Sequence, residues 1–245
     1  MISRLLFATC ATVAGTLSTL HAATTWNAAT DFLANELGTD SNPNGAWTYG
    51  YRDLVSSTSV TPFVAGDHKT AIGGNANFEG WQLGAGFLMT ATNTSSLTIG
   101  TLLPGELLVH PLNAAANPTY NVIRWTAPTT GDYTIAFNWR VGSTLVNATN
   151  DGVDAHVVHS NGTTATAIFN TIVSPGQFVS NSNAITLTAG HTIDFVVGPG
   201  TSGINENDST IFNATITLVP EPSSALLLGA AVPLCFLRRR NKAAC

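Results

Sequence analysis

The sequence predicts an all-β chain folded as an antiparallel β-sandwich, and three observations carry that expectation. Tyr133, Ile135, Phe137 and Trp139 alternate with Thr134, Ala136, Asn138 and Arg140, a strict period of two over eight residues. Turn-forming clusters such as Thr130-Gly131-Asp132, Asn161-Gly162 and Ala189-Gly190 recur every 8–15 residues between short alternating runs. No long helical period and no internal repeat competes with this pattern, and the abundant Asn, Thr, Ser and Gly suit turns and exposed strand faces.

Met1–Arg4 is a short basic start, Leu5–Leu17 is mostly apolar, and small residues follow at Ala22-Ala23. Residues 1–23 therefore read as a secretory signal peptide cleaved after Ala22 or Ala23. Residues 24–219 form the exported domain. Thr30–Leu37 suits one short helix ended by Gly38. Asp40–Gly45 is a dense turn, and Trp47, Tyr49 and Tyr51 alternate with Thr48 and Gly50 as a strand with one aromatic face. Residues 56–105 show only loops around short strands, so the fold of residues 24–105 stays open at this point. Strands are then expected at Leu107–His110, Tyr120–Trp125, Tyr133–Arg140, Val153–His159, Thr163–Ile168, from Ile185 to Leu187, Thr192–Val197 and Thr210–Val219. The last of these places Phe212, Ala214, Ile216 and Leu218 on one face.

Charge and cysteine content narrow the function. Cys10, Cys235 and Cys245 all lie outside residues 24–219, so the exported domain must stand on its core without disulfides. That domain holds four bases (Arg52, Lys69, Arg124, Arg140) and thirteen of the fourteen acids, a formal charge of −9 against −5 for the whole chain. Such a surface argues against nucleic acid and anionic lipid as partners.

The C-terminus has three parts in order: Pro220-Glu221-Pro222, an apolar run at 225–237, and a basic stretch at 238–242 opened by Arg238, Arg239 and Arg240. As a helix the thirteen-residue run reaches roughly 20 Å, short of a ~30 Å hydrocarbon core, and Pro233 interrupts it. It suits a transient membrane stop with the arginines held on the cytoplasmic side. These residues resemble the PEP-CTERM sorting signal. The resemblance implies signal peptidase and an exosortase-like protease as processing partners, contact with the membrane during sorting, and a cell-surface or extracellular-matrix destination. The stretch from Leu107 to Thr217 also resembles secreted β-jelly-roll domains, an architecture shared with carbohydrate-binding modules. That resemblance rests on His110-Pro111, Arg124–Pro128, Gly131-Asp132-Tyr133, Asp151–Asp154, Asn161-Gly162 and the strand holding Asp194-Phe195.

Candidate chemistry is sparse. Trp47, Tyr49, Tyr51 and Trp81 offer flat rings for stacking on a polysaccharide, with burial in the core as the competing reading. Asp151, Asp154 and Asp208 sit at strand ends and form a candidate set for a structural calcium ion, against a competing reading as turn-capping acids. Asp154 and His156 share a strand face, whereas His156 and His159 lie on opposite faces. Gly-x-Ser-x-Gly, His-Glu-x-x-His and a domain cysteine nucleophile are absent. Glu36, Glu79, Glu106 and Glu206 are present, but no pattern pairs them as a glycosidase requires. The expected function is a non-enzymatic surface protein binding exopolysaccharide. The alternatives are a small carbohydrate-active enzyme and a self-associating structural protein.

Overall fold

The computed structural model describes residues 23–112, 119–143 and 151–220. Most of the signal-like start, Glu221 and Pro222 of the sorting motif, the apolar run 225–237 and Arg238–Arg240 lie outside the described residues. Among the described residues no helix is long and apolar enough to cross a membrane.

Residues 23–219 form one compact unit in which two antiparallel sheets face each other as a jelly-roll-like sandwich. The strands are β1 (Thr25–Asn27), β2 (Trp47–Arg52), β3 (Thr61–Pro62), β4 (His68–Lys69), β5 (Phe78–Gln82), β6 (Met89–Asn93), β7 (Leu107–His110), β8 (Tyr120–Thr126), β9 (Gly131–Val141), β10 (Val153–Ser160), β11 (Ala165–Val173), β12 (Phe178–Leu187), β13 (Thr192–Gly198) and β14 (Thr210–Val219). One sheet has the order β12-β9-β14-β7-β6-β5-β4, with β1 also paired to β14. The other has the order β11-β10-β13-β8-β2-β3.

The alternation in β9 sets the register of the larger sheet. Tyr133, Ile135, Phe137 and Trp139 are buried between the sheets, while Thr134, Asn138 and Arg140 face outward. Phe212, Ala214 and Ile216 of β14 lie on the same inner face, and Ile193, Phe195 and Val197 of β13 meet them from the opposite sheet. Aromatic contacts tie the layers: the Trp139 ring stacks on Phe169 at 5.9 Å, and Phe195 sits 5.0 Å from Phe212. Offset and tilted ring pairs of this kind stabilise beyond the area they bury.

The illegible stretch 56–105 belongs to this sandwich. Its strands are only two to five residues long, too short to display a period, and they extend the larger sheet beyond β7 or pair with β2. The one α-helix among the described residues, α1 (Ala28–Asn35), starts two residues earlier than the sequence suggests. Asn27 is its N-cap and accepts a hydrogen bond from the Thr30 amide at 2.9 Å, replacing a partner the first turn lacks. The helix fills a split on one edge of β14. There β7 pairs with residues 210–212 and β1 pairs with residues 215–217, and α1 leaves β1 between them to bury Phe32 against Tyr49 at 5.0 Å.

Outside the smaller sheet, the segment after β2 lies over Val122, Val158 and Val196, with Val55 and Val60 packed on them. A buried ionic knot holds it. Asp194 accepts from Arg52 at 2.9 Å and from Arg124 at 2.7 and 2.9 Å. The same guanidinium groups donate to the carbonyls of Ser57 and Thr58.

Candidate functional site

The aromatic stacking surface expected from the sequence is not formed. Trp47, Tyr49 and Trp81 are 2%, 0% and 0% exposed, and Tyr51 packs half-buried against Phe63. The residues alternating in β2 and Trp81 of β5 take the faces that point between the two sheets, where the core lies. Trp81 stacks on Phe63 and donates its indole N–H to Glu36 at 3.1 Å.

Glu36 is itself almost fully buried, and its second carboxylate oxygen has no hydrogen-bond partner among the described residues. Burial pushes its pKa up to about 7, the Trp81 hydrogen bond offsetting part of the rise. Ionising Glu36 is thus harder in the folded chain than in the unfolded one. Its contribution to stability is complete below the ordinary carboxyl range and is lost as pH climbs from there through about 7. Glu36→Gln is expected to flatten this part of a melting-temperature profile between about pH 4.5 and 7; an unchanged slope would show that Glu36 is not its source.

The other candidate carboxylates have separate structural duties. Glu79 accepts from the Gly38 amide at 2.6 Å. Glu106 pairs with Arg140 at 3.2 Å and accepts from the Leu103 amide at 2.8 Å. Glu206 lies with Asn205 and Asn207 beside Phe87 and His110 at a hollow of about 240 Å3.

The three aspartates of the candidate calcium set occupy one end of the sandwich. Asp151 accepts from the Thr201 hydroxyl and from the Ser202 amide and hydroxyl at 2.8 and 2.9 Å. Asp154 accepts from the Gly200 amide at 3.0 Å and contacts His156 at 3.0 Å, as their shared strand face predicts. The turn fits closely around them: a Cβ on Gly198 would collide with Asp154, and one on Gly200 would collide with the Gly152 carbonyl and crowd Asp151. Asp208 is fully buried, and neither of its carboxylate oxygens has a partner among the described residues. Burial, and after it the charges of Asp151 and Asp154, pushes its pKa up to about 8. No group of three His, Cys, Asp or Glu side chains among the described residues is set to hold a metal ion. Asp151 and Asp154 are hydrogen-bonded to the 200–202 segment.

A site that the sequence did not suggest lies on the outer face of the larger sheet. Ser180 of β12 lies opposite Asn138 of β9, which lies opposite Asn213 of β14. The next row is Ser182, Ala136, Thr215 and Asn27. The rows form a shallow groove of about 450 Å3, and no charged residue lines it. A second hollow of about 240 Å3, bordered by Ala29, Pro104 and Glu106, shares Asn138 and Asn213 with it and continues it. Asn213 accepts from the Ala29 amide at 3.4 Å, and Thr215 accepts from Asn27 at 2.9 Å. The Asn138 amide and the Ser180 and Ser182 hydroxyls make no side-chain hydrogen bond among the described residues. Phe178, 59% exposed, stands two residues before Ser180 on the same face, opposite Arg140. The run Phe178–Asn183 is polar on both faces after its first two residues, so it hides the alternation that would have marked a strand.

No family model matches the chain, and no curated protein matches it in sequence. Solved structures with a similar arrangement of strands include a family 29 carbohydrate-binding module, 10% identical over 71% of this chain and 92% of that one, with a TM-score of 0.33. A family 35 carbohydrate-binding module from Clostridium thermocellum is 12% identical over 57% and 87%, with a TM-score of 0.27. The globular domain of zebrafish complement 1qA protein is 14% identical over 40% and 69%, with a TM-score of 0.30. Overlaps this partial assign the chain to no family.

Proposed function

We propose that this is an exported surface or matrix protein that binds, rather than transforms, a neutral hydroxyl-rich polymer such as an exopolysaccharide. The observation that carries the reading is the uncharged groove on the larger sheet, with the amide of Asn138 and the hydroxyls of Ser180 and Ser182 free for a ligand. Hydroxyl-rich chains need such paired donors and acceptors, and Phe178 beside them offers a ring to a sugar's CH face. The formal charge of −9 on residues 24–219 disfavours polyanions. The signal-like residues 1–23 support export through signal peptidase, and Pro220-Glu221-Pro222 with the basic residues from Arg238 supports sorting by an exosortase-like protease.

A few hydrogen bonds at about 0.5–1.5 kcal/mol each and one stacked ring give an affinity on the order of millimolar for a single groove. Retention then depends on many copies on one surface. Affinity electrophoresis of the whole chain through gels of neutral glycans tests the reading. Asn138→Ala and Phe178→Ala are each expected to weaken retardation roughly 3–10-fold without moving the melting temperature. Variants that migrate as wild type does, or a wild type slowed by no glycan, would refute it. Release of reducing sugar would favour the carbohydrate-active enzyme instead.

A further inference from the structure

We propose that Asp208 is a ligand for a divalent cation of the calcium type, held at the end of the sandwich where Asp151 and Asp154 add their charge. The argument starts from what Asp208 lacks. Both of its oxygens are buried, and no donor among the described residues reaches either one. Buried polar groups in folded chains are almost always satisfied, and an unpaired buried carboxylate is among the most costly exceptions. Protonation does not repair this, since a neutral carboxyl brings an O–H that also needs a partner.

The surroundings make the deficit one of charge as well as hydrogen bonding. Asp151 and Asp154 project from the start of β10 toward the turn that follows β13, and Asp208 precedes β14 at the same end. Neither Arg52, Arg124 nor Arg140 serves this end: the first two are bound to Asp194 and the third to Glu106. The imidazole of His156 contacts Asp154 and meets the Tyr120 ring edge-on. A hard cation supplies what is missing, because it takes carboxylate, carbonyl and water oxygens together. Asp208 would bind it directly. Asp151 and Asp154 keep the 200–202 segment in place and act through their field, which is why three side chains at ligand distance are not required.

The test is thermal melting of the whole chain in EDTA and in millimolar calcium, alongside Asp208→Asn. Wild type is expected to melt roughly 5–10 °C higher in calcium. Asp208→Asn keeps the shape of the side chain but cannot offer a carboxylate to the cation, so it is expected to melt near wild type in EDTA and to gain nothing from calcium. Calorimetric titration of wild type with calcium chloride provides a readout that does not depend on the variant folding, with about one ion per chain expected. No shift and no heat in wild type, or an equal calcium shift in Asp208→Asn, would overturn the proposal.

Discussion

Replacing Asp194 by alanine is expected to destabilise the fold by about 3–5 kcal/mol. Asp194 is fully buried, and its carboxylate is the only anion bonded to both Arg52 and Arg124 among the described residues. The Arg52 side chain is 2% exposed, so removing Asp194 leaves a guanidinium that cannot turn to water. Burial already lowers the Arg52 pKa, and Asp194 opposes that shift. Without it, two like charges face each other across the outer surface of the smaller sheet. The segment that bonds through Ser57 and Thr58 would lose its anchor, exposing Val122, Val158 and Val196. Urea unfolding reads the loss as a lower midpoint. Asp194→Leu combined with Arg52→Met should recover much of it, because a packed apolar pair avoids the desolvation of a broken ionic one. A loss below about 1 kcal/mol for the single variant would mean that the knot is solvated.

Trp81→Ala is expected to cost about 3–5 kcal/mol, through the cavity left by a fully buried indole. Two further effects add to the cavity. The ring stacked on Phe63 and edge-on to His68 disappears, and the indole donor to Glu36 disappears with it. Trp81→Phe separates the terms, since it keeps most of the packing and loses the donor. It should cost about 1–3 kcal/mol and raise the Glu36 pKa further, because the lost hydrogen bond was lowering it. Glycan retention by Trp81→Phe should match that of wild type, since the residue lies in the core and not at the groove. A Trp81 variant that folds normally but fails to bind would restore the ring to a ligand surface.

Strands with one apolar and one polar face are legible in the sequence, and the short strands within 56–105 and the polar part of β12 are not. β9 and β14 were legible because one face is core and the other solvent, so a period of two had to appear. β12 was read only from Ile185, since Ser180, Asn181, Ser182 and Asn183 are polar on both faces of an edge strand. That concealment also hid the groove, which is built from small outward residues on strands that come together only in space. The aromatic residues at 47–51 and 81 misled for the opposite reason. Alternation assigns them to a common face but cannot say whether that face is open or covered, and here the second sheet and Phe63 cover it. Asp208 was visible as an acid before a strand, yet its burial and lack of partners are facts of packing.

The divided edge of β14 also governs the order in which the sandwich closes. Thr25 meets Thr217 across a separation of 192 residues, and β1 is held by three register pairs and by Trp26 packed on Trp125 and Tyr133. A contact of such long sequence separation forms only once the strands between have brought the two ends together. A chain that loses β1 uncovers the free edge of β14 at 215–217, where the backbone of a second chain could add as a strand. The N-terminal strand thus covers an edge whose backbone groups would otherwise be open to a second chain.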